Sequence, residues 1–493
     1  MAILHYIFIA LEVVLLFNLL IGVHELGHFL AAKWRGLKVD RFAIWFGKPI
    51  WKKKIGGVEY AMGWIPAGGY VALPQMATMD AIEGKSETGD EPLPNVSALD
   101  KIIVAFAGPL FSFLLAVFFA FIVWGVGKPG SGPDNSTTIG WVDQTGPAWK
   151  AGLRPGDTIL TIDGHPVKHF VSAAGDSVKW RIVTSEGTNI AVKYVRDGKV
   201  AMAYPVPYYR PTKWYERKSL RQILVAPETK AVIYDVASNS PAALAGLTNG
   251  DEIVALNGKK IFNPLAITTA EEAMSNSPVK PLTLTVRRRN EEFDRTLLPA
   301  KPVQPANSAP MLGILDWEND TNITLIHPSP LTQIETSVGQ IVGTLHALFA
   351  PKSDIGVQQL GGAVMIARVY YNLFQSEDGW RQVLWFSVIL NVNLAILNLL
   401  PLPVLDGGHI LLSLLEVIRR RPVNAKILQT IQTGFAMLLI GFMLYIAFFD
   451  TGDWVRSARA DHEQPIIFKP AKAGVIPIDD SDHGQIINIT PQK

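Results

Sequence analysis

Two histidines and a glutamate near the amino terminus have the spacing found in metal-dependent hydrolases. The segment is His24-Glu25-Leu26-Gly27-His28. On an α-helix, residues four apart lie on one face, so both imidazoles can reach one ion, at about 2.0–2.1 Å if that ion is zinc. Glu25 can accept a proton from a water that the ion polarises. The pattern therefore predicts zinc-dependent hydrolysis.

The surroundings of this motif favour a metal site over the simpler alternative, a helix end whose polar side chains face water. The apolar run before the motif has no charge between Glu12 and His24, and an apolar segment follows it. Ionisable groups at membrane depth are costly and usually functional. Because the chain contains no cysteine, any metal must be held by histidine and carboxylate ligands.

A third ligand is needed, because a catalytic zinc site has three protein ligands and one open position. The other polar island in an apolar region runs from Asn398 through Pro401 and Pro403 to Asp406 and His409. Two prolines two residues apart cannot continue a helix, so a membrane helix must end or unwind here. Taken alone, Asp406 followed by glycine is most simply a turn at a helix end. With both islands at similar depth, we favour Asp406 as the third ligand.

Membrane helices must position these residues. Hydrophobic residues make up 48% of the 493-residue chain and charged residues only 18%, a balance that favours a membrane protein. A helix needs roughly 20 apolar residues to cross about 30 Å of hydrocarbon. Four stretches meet this condition: Ile3 to about Leu30, Ile102–Val126, Val383–Leu405 and Ile427–Phe449. The first has no basic residue before it, so we interpret it as a retained helix and not as a secretory signal.

The distribution of basic residues predicts the orientation. Eight lysines and arginines lie between Lys33 and Lys54, after the first span, and a second basic cluster, Arg419–Arg421 with Lys426, follows the third span. The positive-inside rule places both connections in the cytoplasm. The amino terminus, residues 127–380 and the carboxyl tail then lie on the other side. The net charge is only +2, and no basic domain suggests nucleic-acid binding.

The middle region contains an internal repeat. Gly152–Gly164 recurs as Gly246–Gly258, 94 positions later, and a Pro-Ala dipeptide precedes each copy. The alternation of apolar and polar residues around each copy predicts short strands. The arrangement resembles two tandem PDZ domains of the circularly permuted bacterial kind, at 128–222 and 223–305. Residues 306–380 are predicted to be a linker with an amphipathic helix at Pro330–Ala350, and residues 450–493 a polar tail without chemistry.

Together these motifs resemble the site-2 protease family from the amino terminus to about residue 449. The resemblance implies a polytopic α-helical membrane protein with four transmembrane helices, two tandem β-rich PDZ domains and a membrane-associated β-hairpin. Residues 1–126 would hold the first two helices and a cytoplasmic hairpin, and residues 381–449 the last two helices. The resemblance places the protein in a bacterial inner membrane, with the PDZ domains periplasmic and the active site toward the cytoplasm.

The same resemblance assigns roles to individual residues. It implies zinc held by His24, His28 and Asp406, with Glu25 as the general base. Residues implied to contact the substrate are Asn393, Asn398, Pro401, Pro403, Gly68 and Gly69. The two glycines belong to the hairpin, whose edge could pair with an unwound substrate strand. One position departs from the family pattern, because Ser112 occupies a place where asparagine is usual.

The implied substrates are single-span membrane proteins, namely anti-sigma factors already trimmed by another protease, and remnant signal peptides. The PDZ pair could bind a carboxyl terminus or act as a steric filter, and the sequence leaves both roles open. Two other classes of function fit the sequence less well. A PDZ scaffold without catalysis gives no use to Glu25, and a metal transporter would need polar residues along the second and fourth helices, which are almost wholly apolar.

Overall fold

The computed structural model describes residues 2–76, 96–130, 136–171, 175–305, 307–318, 324–376, 378–420, 425–460 and 465–469. The α-helices in these ranges are α1 Ala2–Arg35, α2 Ala98–Val126, α3 Pro147–Lys150, α4 Val178–Thr184, α5 Pro241–Leu244, α6 Leu265–Glu272, α7 Pro330–Phe349, α8 Ala363–Gln375, α9 Gly379–Asn398, α10 Asp406–Arg419 and α11 Ala425–Ala460. Among the described residues, four helices are long and apolar enough to cross a membrane: α1, α2, α9 and α11.

The four predicted spans therefore correspond to helices, with differences at three carboxyl ends. The first was predicted to end near Leu30, and α1 continues to Arg35. The third was predicted to reach Leu405, but α9 ends at Asn398, because Pro401 and Pro403 cannot extend it. The fourth continues beyond Phe449 to Ala460, so the region predicted as a polar tail begins as helix. α11 continues through this polar segment because Asp450, its first charged residue after Phe449, is buried and paired with Arg217.

Three of the membrane helices pack closely against one another. Leu20 of α1, Ala116 and Ala120 of α2, and Val388 and Val392 of α9 form one buried apolar cluster. Small residues on α2 let its neighbours approach closely. The predicted amphipathic helix is α7, Pro330–Phe349, and it packs on both α2 and α9.

The predicted hairpin is an antiparallel pair of long strands that folds back on itself. Its strands are β1, Arg41–Ile55, and β2, Val58–Ala72. Residues 41–44 pair with 69–72 on one side and with 59–62 on the other, and residues 51–55 pair with 58–62. Each strand therefore contributes two segments to one folded sheet. The segment 69–72 lies at one edge of this sheet.

The remaining strands are short. They are β3 Lys128–Gly130, β4 Ile139–Val142, β5 Thr158–Ile162, β6 His165–Pro166, β7 Val192–Arg196, β8 Lys199–Ala203, β9 Val225–Pro227, β10 Ala231–Val236, β11 Glu252–Leu256, β12 Lys259–Lys260, β13 Leu282–Arg288, β14 Glu291–Leu297, β15 Ile314–Trp317 and β16 Thr324–Ile326. We call residues 139–227 the first β unit and residues 231–317 the second β unit.

The two β units repeat the same order of elements. Each unit contains, in order, a strand, a short helix, a strand, a two-residue strand, a helix and a two-stranded hairpin. A repeated ion pair fixes equivalent turns: Arg196 bridges Asp157 at 2.6 Å in the first unit, and Arg288 bridges Asp251 at 2.6 Å in the second. Both aspartates are buried. The recurring sequence segment therefore forms the same local structure twice.

Each β unit ends later than the predicted domain boundary. β9, which begins after residue 222, pairs with β4 of the first unit. β15 lies beyond residue 305, in the predicted linker, and pairs with β10 of the second unit. The reason is that each closing strand is short and follows a long loop. Local alternation of apolar and polar residues therefore did not connect it to its sheet.

Candidate metal centre

Three predicted ligand residues meet between the membrane helices. His24 and His28 lie one turn apart on α1, and Asp406 is in the first turn of α10. The two Nε2 atoms are 3.3 Å apart. His24 Nε2 is 3.3 Å from Asp406 Oδ2, and His28 Nε2 is 3.3 Å from Asp406 Oδ1. All three side chains are buried.

The spacing of these donor atoms fits zinc. Ligands at about 2.0–2.1 Å from a tetrahedral ion are about 3.3–3.4 Å from one another, which matches the three separations between His24, His28 and Asp406. Two neutral imidazole nitrogens whose lone pairs face each other repel, and a shared cation removes that repulsion. Three ligands also leave a fourth position free, as catalytic zinc sites require.

Outer contacts orient both imidazoles. His28 Nδ1 lies 2.8 Å from the carbonyl oxygen of Val104, which can only accept, so Nδ1 carries the proton and Nε2 presents its lone pair to the site. His24 Nδ1 lies 3.0 Å from the hydroxyl of Ser112 on α2. The residue that departs from the family pattern is therefore the hydrogen-bond partner of His24, a predicted ligand. Sequence analysis noted Ser112 but did not assign it this role.

Two glycines allow α1 and α2 to cross at the histidines. A Cβ atom at Gly27 would lie 2.4 Å from the carbonyl oxygen of Ala107, and one at Gly108 would lie 2.2 Å from His28 Nε2. Either contact is far inside van der Waals distance. The Gly108 position therefore provides the space that the His28 imidazole occupies.

The loop before α10 brings Asp406 to the histidines. Cβ atoms at Gly407 and Gly408 would lie 2.2 and 2.1 Å from the carbonyl oxygens of Leu399 and Leu402, so the Asp-Gly-Gly sequence lets the start of α10 pack directly on the loop. The side-chain amide of Gln432 on α11 donates to the carbonyl of Pro403 at 3.1 Å. The fourth membrane helix thus supports the loop that carries Asp406.

Glu25 lies between the histidines and the folded hairpin. A Cβ atom at Gly69 would lie 3.4 Å from Glu25 Cγ and 3.1 Å from the carbonyl oxygen of Ala43. The backbone amide of Val71 also interacts with the Glu25 carboxylate. The sheet edge at residues 69–72 therefore runs beside the glutamate. Gly68 has φ +78° and faces the Phe46 ring, where a Cβ atom would come within 1.9 Å, so this position in β2 requires glycine.

The predicted substrate residues divide into two groups. The side-chain nitrogen of Asn398 is 3.4 Å from His24 Nε2, so Asn398 borders the cluster of predicted ligands, as does the loop with Pro401 and Pro403 that leads to Asp406. Within the described part of the chain, no hydrogen bond joins Asn393 to this cluster, and its Oδ1 is buried without a partner.

Two further residues near the centre were not assigned roles by sequence analysis. His409 is buried on α10, one turn after Asp406. Gln432, noted only as a polar residue in an apolar helix, supports the loop at Pro403. The informative signal in both cases was a polar side chain at membrane depth, where burial without a partner is costly.

Buried histidines, an aspartate and a neighbouring glutamate within a bundle of membrane-crossing helices define a membrane-embedded metallohydrolase. Comparison with known proteins makes this specific: residues 12–441 match the sequence profile of peptidase family M50. The chain belongs to this family, and it is a zinc metalloprotease.

Its relatives cover most of its length. The regulator of sigma-E protease from Haemophilus influenzae is 30% identical over 444 residues, which are 87% of this chain and 96% of that protein. The corresponding Escherichia coli protein is 27% identical over 87% of this chain and 95% of its own length. A Vibrio cholerae protein assigned to the zinc metalloproteases is 28% identical over 83% and 91%.

Proposed function

We propose that this protein is an intramembrane protease that hydrolyses peptide bonds within the transmembrane segments of other membrane proteins. The observation that carries the proposal is the cluster of His24, His28 and Asp406, whose donor atoms lie 3.3 Å apart among membrane-crossing helices. A soluble substrate would have no route to such a site, whereas a substrate helix in the same bilayer does.

In the proposed centre His24, His28 and Asp406 hold one zinc ion. When bound, zinc polarises a scissile carbonyl and makes hydroxide available near neutral pH. Glu25, beside the cluster, takes the proton released by the attacking water and delivers it to the departing amine. Val104 and Ser112 keep the imidazoles in the orientation that ligation needs. The reaction requires no covalent enzyme intermediate.

Peptide hydrolysis inside a bilayer also requires a substrate helix to unwind. The sheet edge at residues 69–72 runs beside Glu25, and an unwound substrate can add to it as a further strand. Gly68 and Gly69 shape this edge. The amide group of Asn398 donates to the substrate backbone or to the developing oxyanion, and the Pro401–Pro403 loop bounds the same space. Asn393 contributes a second polar contact to the substrate backbone.

The folded hairpin is proposed to rest in the membrane surface. Four large apolar side chains of β1 and β2 are exposed, namely Ile50, Trp51, Ile55 and Trp64. Three lysines, Lys52–Lys54, lie among them in the sequence. Aromatic and basic side chains of this kind favour the lipid–water interface. With the basic connections in the cytoplasm, the metal centre faces the cytoplasmic half of an inner membrane, and both β units lie in the periplasm.

The two β units are proposed to be tandem PDZ domains, because they repeat the element order that the sequence resemblance implies. We assign them the role of a filter that excludes substrates with bulky extracytoplasmic domains. We propose that the protein's substrates are membrane-anchored anti-sigma factors and remnant signal peptides. The relatives that carry the name regulator of sigma-E protease support the first of these.

The test is cleavage of a single-span substrate by the purified protein in detergent, with bound zinc counted in each variant. Wild type should cleave, and Glu25→Gln should retain about one zinc per chain but lose cleavage by at least about a hundredfold. Asp406→Ala should lose both zinc and cleavage. Glu12→Gln, on the same helix, is the matched control and should behave as wild type. Equal cleavage by wild type and Glu25→Gln would refute the proposal.

A further inference from the structure

A segment near the carboxyl terminus lies on the second β unit. Residues 465–469 follow the end of the family match at residue 441. The N–H groups of Val303 and Gln304 donate to the carbonyl of Ile467 at 2.7 and 3.3 Å, and the N–H of Ile467 donates to the carbonyl of Gln304 at 2.9 Å. This reciprocal bonding is the antiparallel bridge that two adjacent strands form.

A buried aromatic side chain accompanies the backbone pairing. Phe468 is only 4% exposed, whereas the neighbouring Ile467 side chain is 47% exposed. A Cβ atom at Gly313 would lie 3.0 Å from Phe468 Cε2, and Gly313 has φ +84°. The ring therefore lies directly on the backbone of Gly313. A side chain at position 313 would occupy part of the space that the ring fills. Alternate side chains turn toward and away from the domain, as they do in a strand.

The covered residues Val303, Gln304 and Gly313 all belong to the second β unit. Ala300 and Met311 exchange backbone hydrogen bonds at 3.0 Å, which closes the proline-rich loop that carries Val303 and Gln304. Gly313 directly precedes β15, the strand that closes this unit. The surface is thus preformed by the domain, and the tail supplies the added strand and one anchoring side chain.

The tail reaches this surface from the fourth membrane helix. α11 ends at Ala460 and the docked segment begins at Pro465, so four residues separate them. A ligand joined to its receptor by so short a connection has a high effective concentration. Weak pairing by one bridge and one aromatic ring is then enough to keep the surface covered.

We propose that the surface formed by Val303, Gln304 and Gly313 is a peptide-binding site, separate from the metal centre, and that residues 465–469 are its resident ligand. The site accepts an extended segment that pairs with residues 303–304 and places an aromatic ring over Gly313. With its own tail bound, the second β unit is tethered to the carboxyl end of α11. A partner segment of the same chemistry binds only by displacing the tail.

Hydrogen exchange of the full-length protein in detergent tests the proposal. Pro302 and Pro305 have no amide hydrogen, so Val303 and Gln304 are the only two amides between them. Phe468→Ala should speed exchange at these two amides by roughly ten- to a hundredfold, because the anchoring ring is lost. The half-exposed Ile467→Ala is the matched control and should change the rate far less. Ala300, bonded within the domain, should stay protected in all three proteins.

A synthetic peptide of residues 464–470 provides the second arm. Added to the Phe468→Ala protein, it should restore slow exchange at Val303 and Gln304, and the same peptide with alanine at 468 should not. Protection that depends on protein concentration would show instead that a second copy supplies the tail. That outcome, fast exchange in the wild type, or failure of the peptide to restore protection would each overturn the proposal.

Discussion

Asp450 of α11 is buried and pairs with Arg217, which extends from the first β unit. The second carboxylate oxygen of Asp450 accepts from the N–H groups of Gly362 and Met365 at 3.0 and 3.2 Å, at the start of α8. Arg217 also donates to Asp453 at 2.6 Å. One buried carboxylate therefore joins the first β unit, α8 and the end of the fourth membrane helix.

Removing only the arginine of this ion pair should weaken the attachment of the first β unit to α11. Arg217→Met leaves the Asp450 charge buried without its cation, which costs about 3–5 kcal/mol. Adding Asp450→Asn removes that charge and keeps an oxygen for the two N–H groups, so the double variant should recover part of the loss. Hydrogen exchange around residues 217–222 and 358–365 measures the effect. A double variant as unstable as Arg217→Met would contradict this account.

Ser112 should contribute to metal affinity although it does not reach the metal. Ser112→Ala removes the hydroxyl that lies 3.0 Å from His24 Nδ1, and loss of such an outer partner typically weakens metal binding by about 10–100-fold. Ser112→Thr keeps a hydroxyl at the same position and should retain most of the affinity. Competition with a chelator of known affinity measures both variants. Equal affinities for alanine and serine at 112 would show that the contact has no effect.

Gly108 should tolerate no side chain. In Gly108→Ala the new methyl group would lie 2.2 Å from His28 Nε2, so the imidazole must move out of the cluster, and both bound zinc and cleavage should be lost. Gly125→Ala is the matched control on the same helix, because a Cβ atom there has nothing within 4 Å. Zinc content and helical circular dichroism separate loss of the site from loss of the fold. A zinc-replete Gly108→Ala protein would contradict the geometry.

The stability of the second β unit should depend on Glu271. Burial raises the pKa of Glu271 from 4.5 to about 7, although the N–H of Leu312 donates to this carboxylate at 2.7 Å and opposes the shift, while the neighbouring Glu272 adds to it. Between these pH values the folded unit keeps a proton that the unfolded chain has lost. Its free energy of unfolding should therefore fall by about 3 kcal/mol as pH rises through this window.

Replacing Glu271 tests that assignment. Glu271→Gln has no proton to lose, and its side-chain oxygen can still accept from the N–H of Leu312. The stability of the second β unit, measured by hydrogen exchange corrected for the intrinsic pH dependence, should then be nearly flat between pH 4.5 and 7. An unchanged slope in the variant would assign the pH dependence to another group.

Much of the geometry of the candidate metal centre is predictable because it depends on local spacing. His24 and His28 lie on one helical face through a four-residue interval, and Pro401 with Pro403 had to end a helix near Asp406. The four membrane helices were predictable from length and apolarity alone. Each of these inferences needs only residues close in sequence.

What sequence analysis missed depends on contacts between distant segments. The sequence predicts a polar tail from Asp450 onward because Arg217, the residue that pairs with Asp450, is 233 positions away. Phe468 was missed for the same reason, since Gly313 and the loop before it provide its surroundings. Hydropathy states that a side chain is polar or apolar, but not which distant group will pair with it or cover it.

The distribution of the proposed ligands along the chain has a consequence for biosynthesis. Asp406 follows His28 by 378 residues, and at about 5–20 residues per second a ribosome needs roughly 20–75 s to add that length. During this time a nascent chain has both histidines in the bilayer without their carboxylate partner. In the proposed arrangement, the three-ligand zinc site is therefore incomplete, and the proposed cleavage of membrane proteins cannot begin, until synthesis has passed the third membrane helix and reached Asp406 in α10.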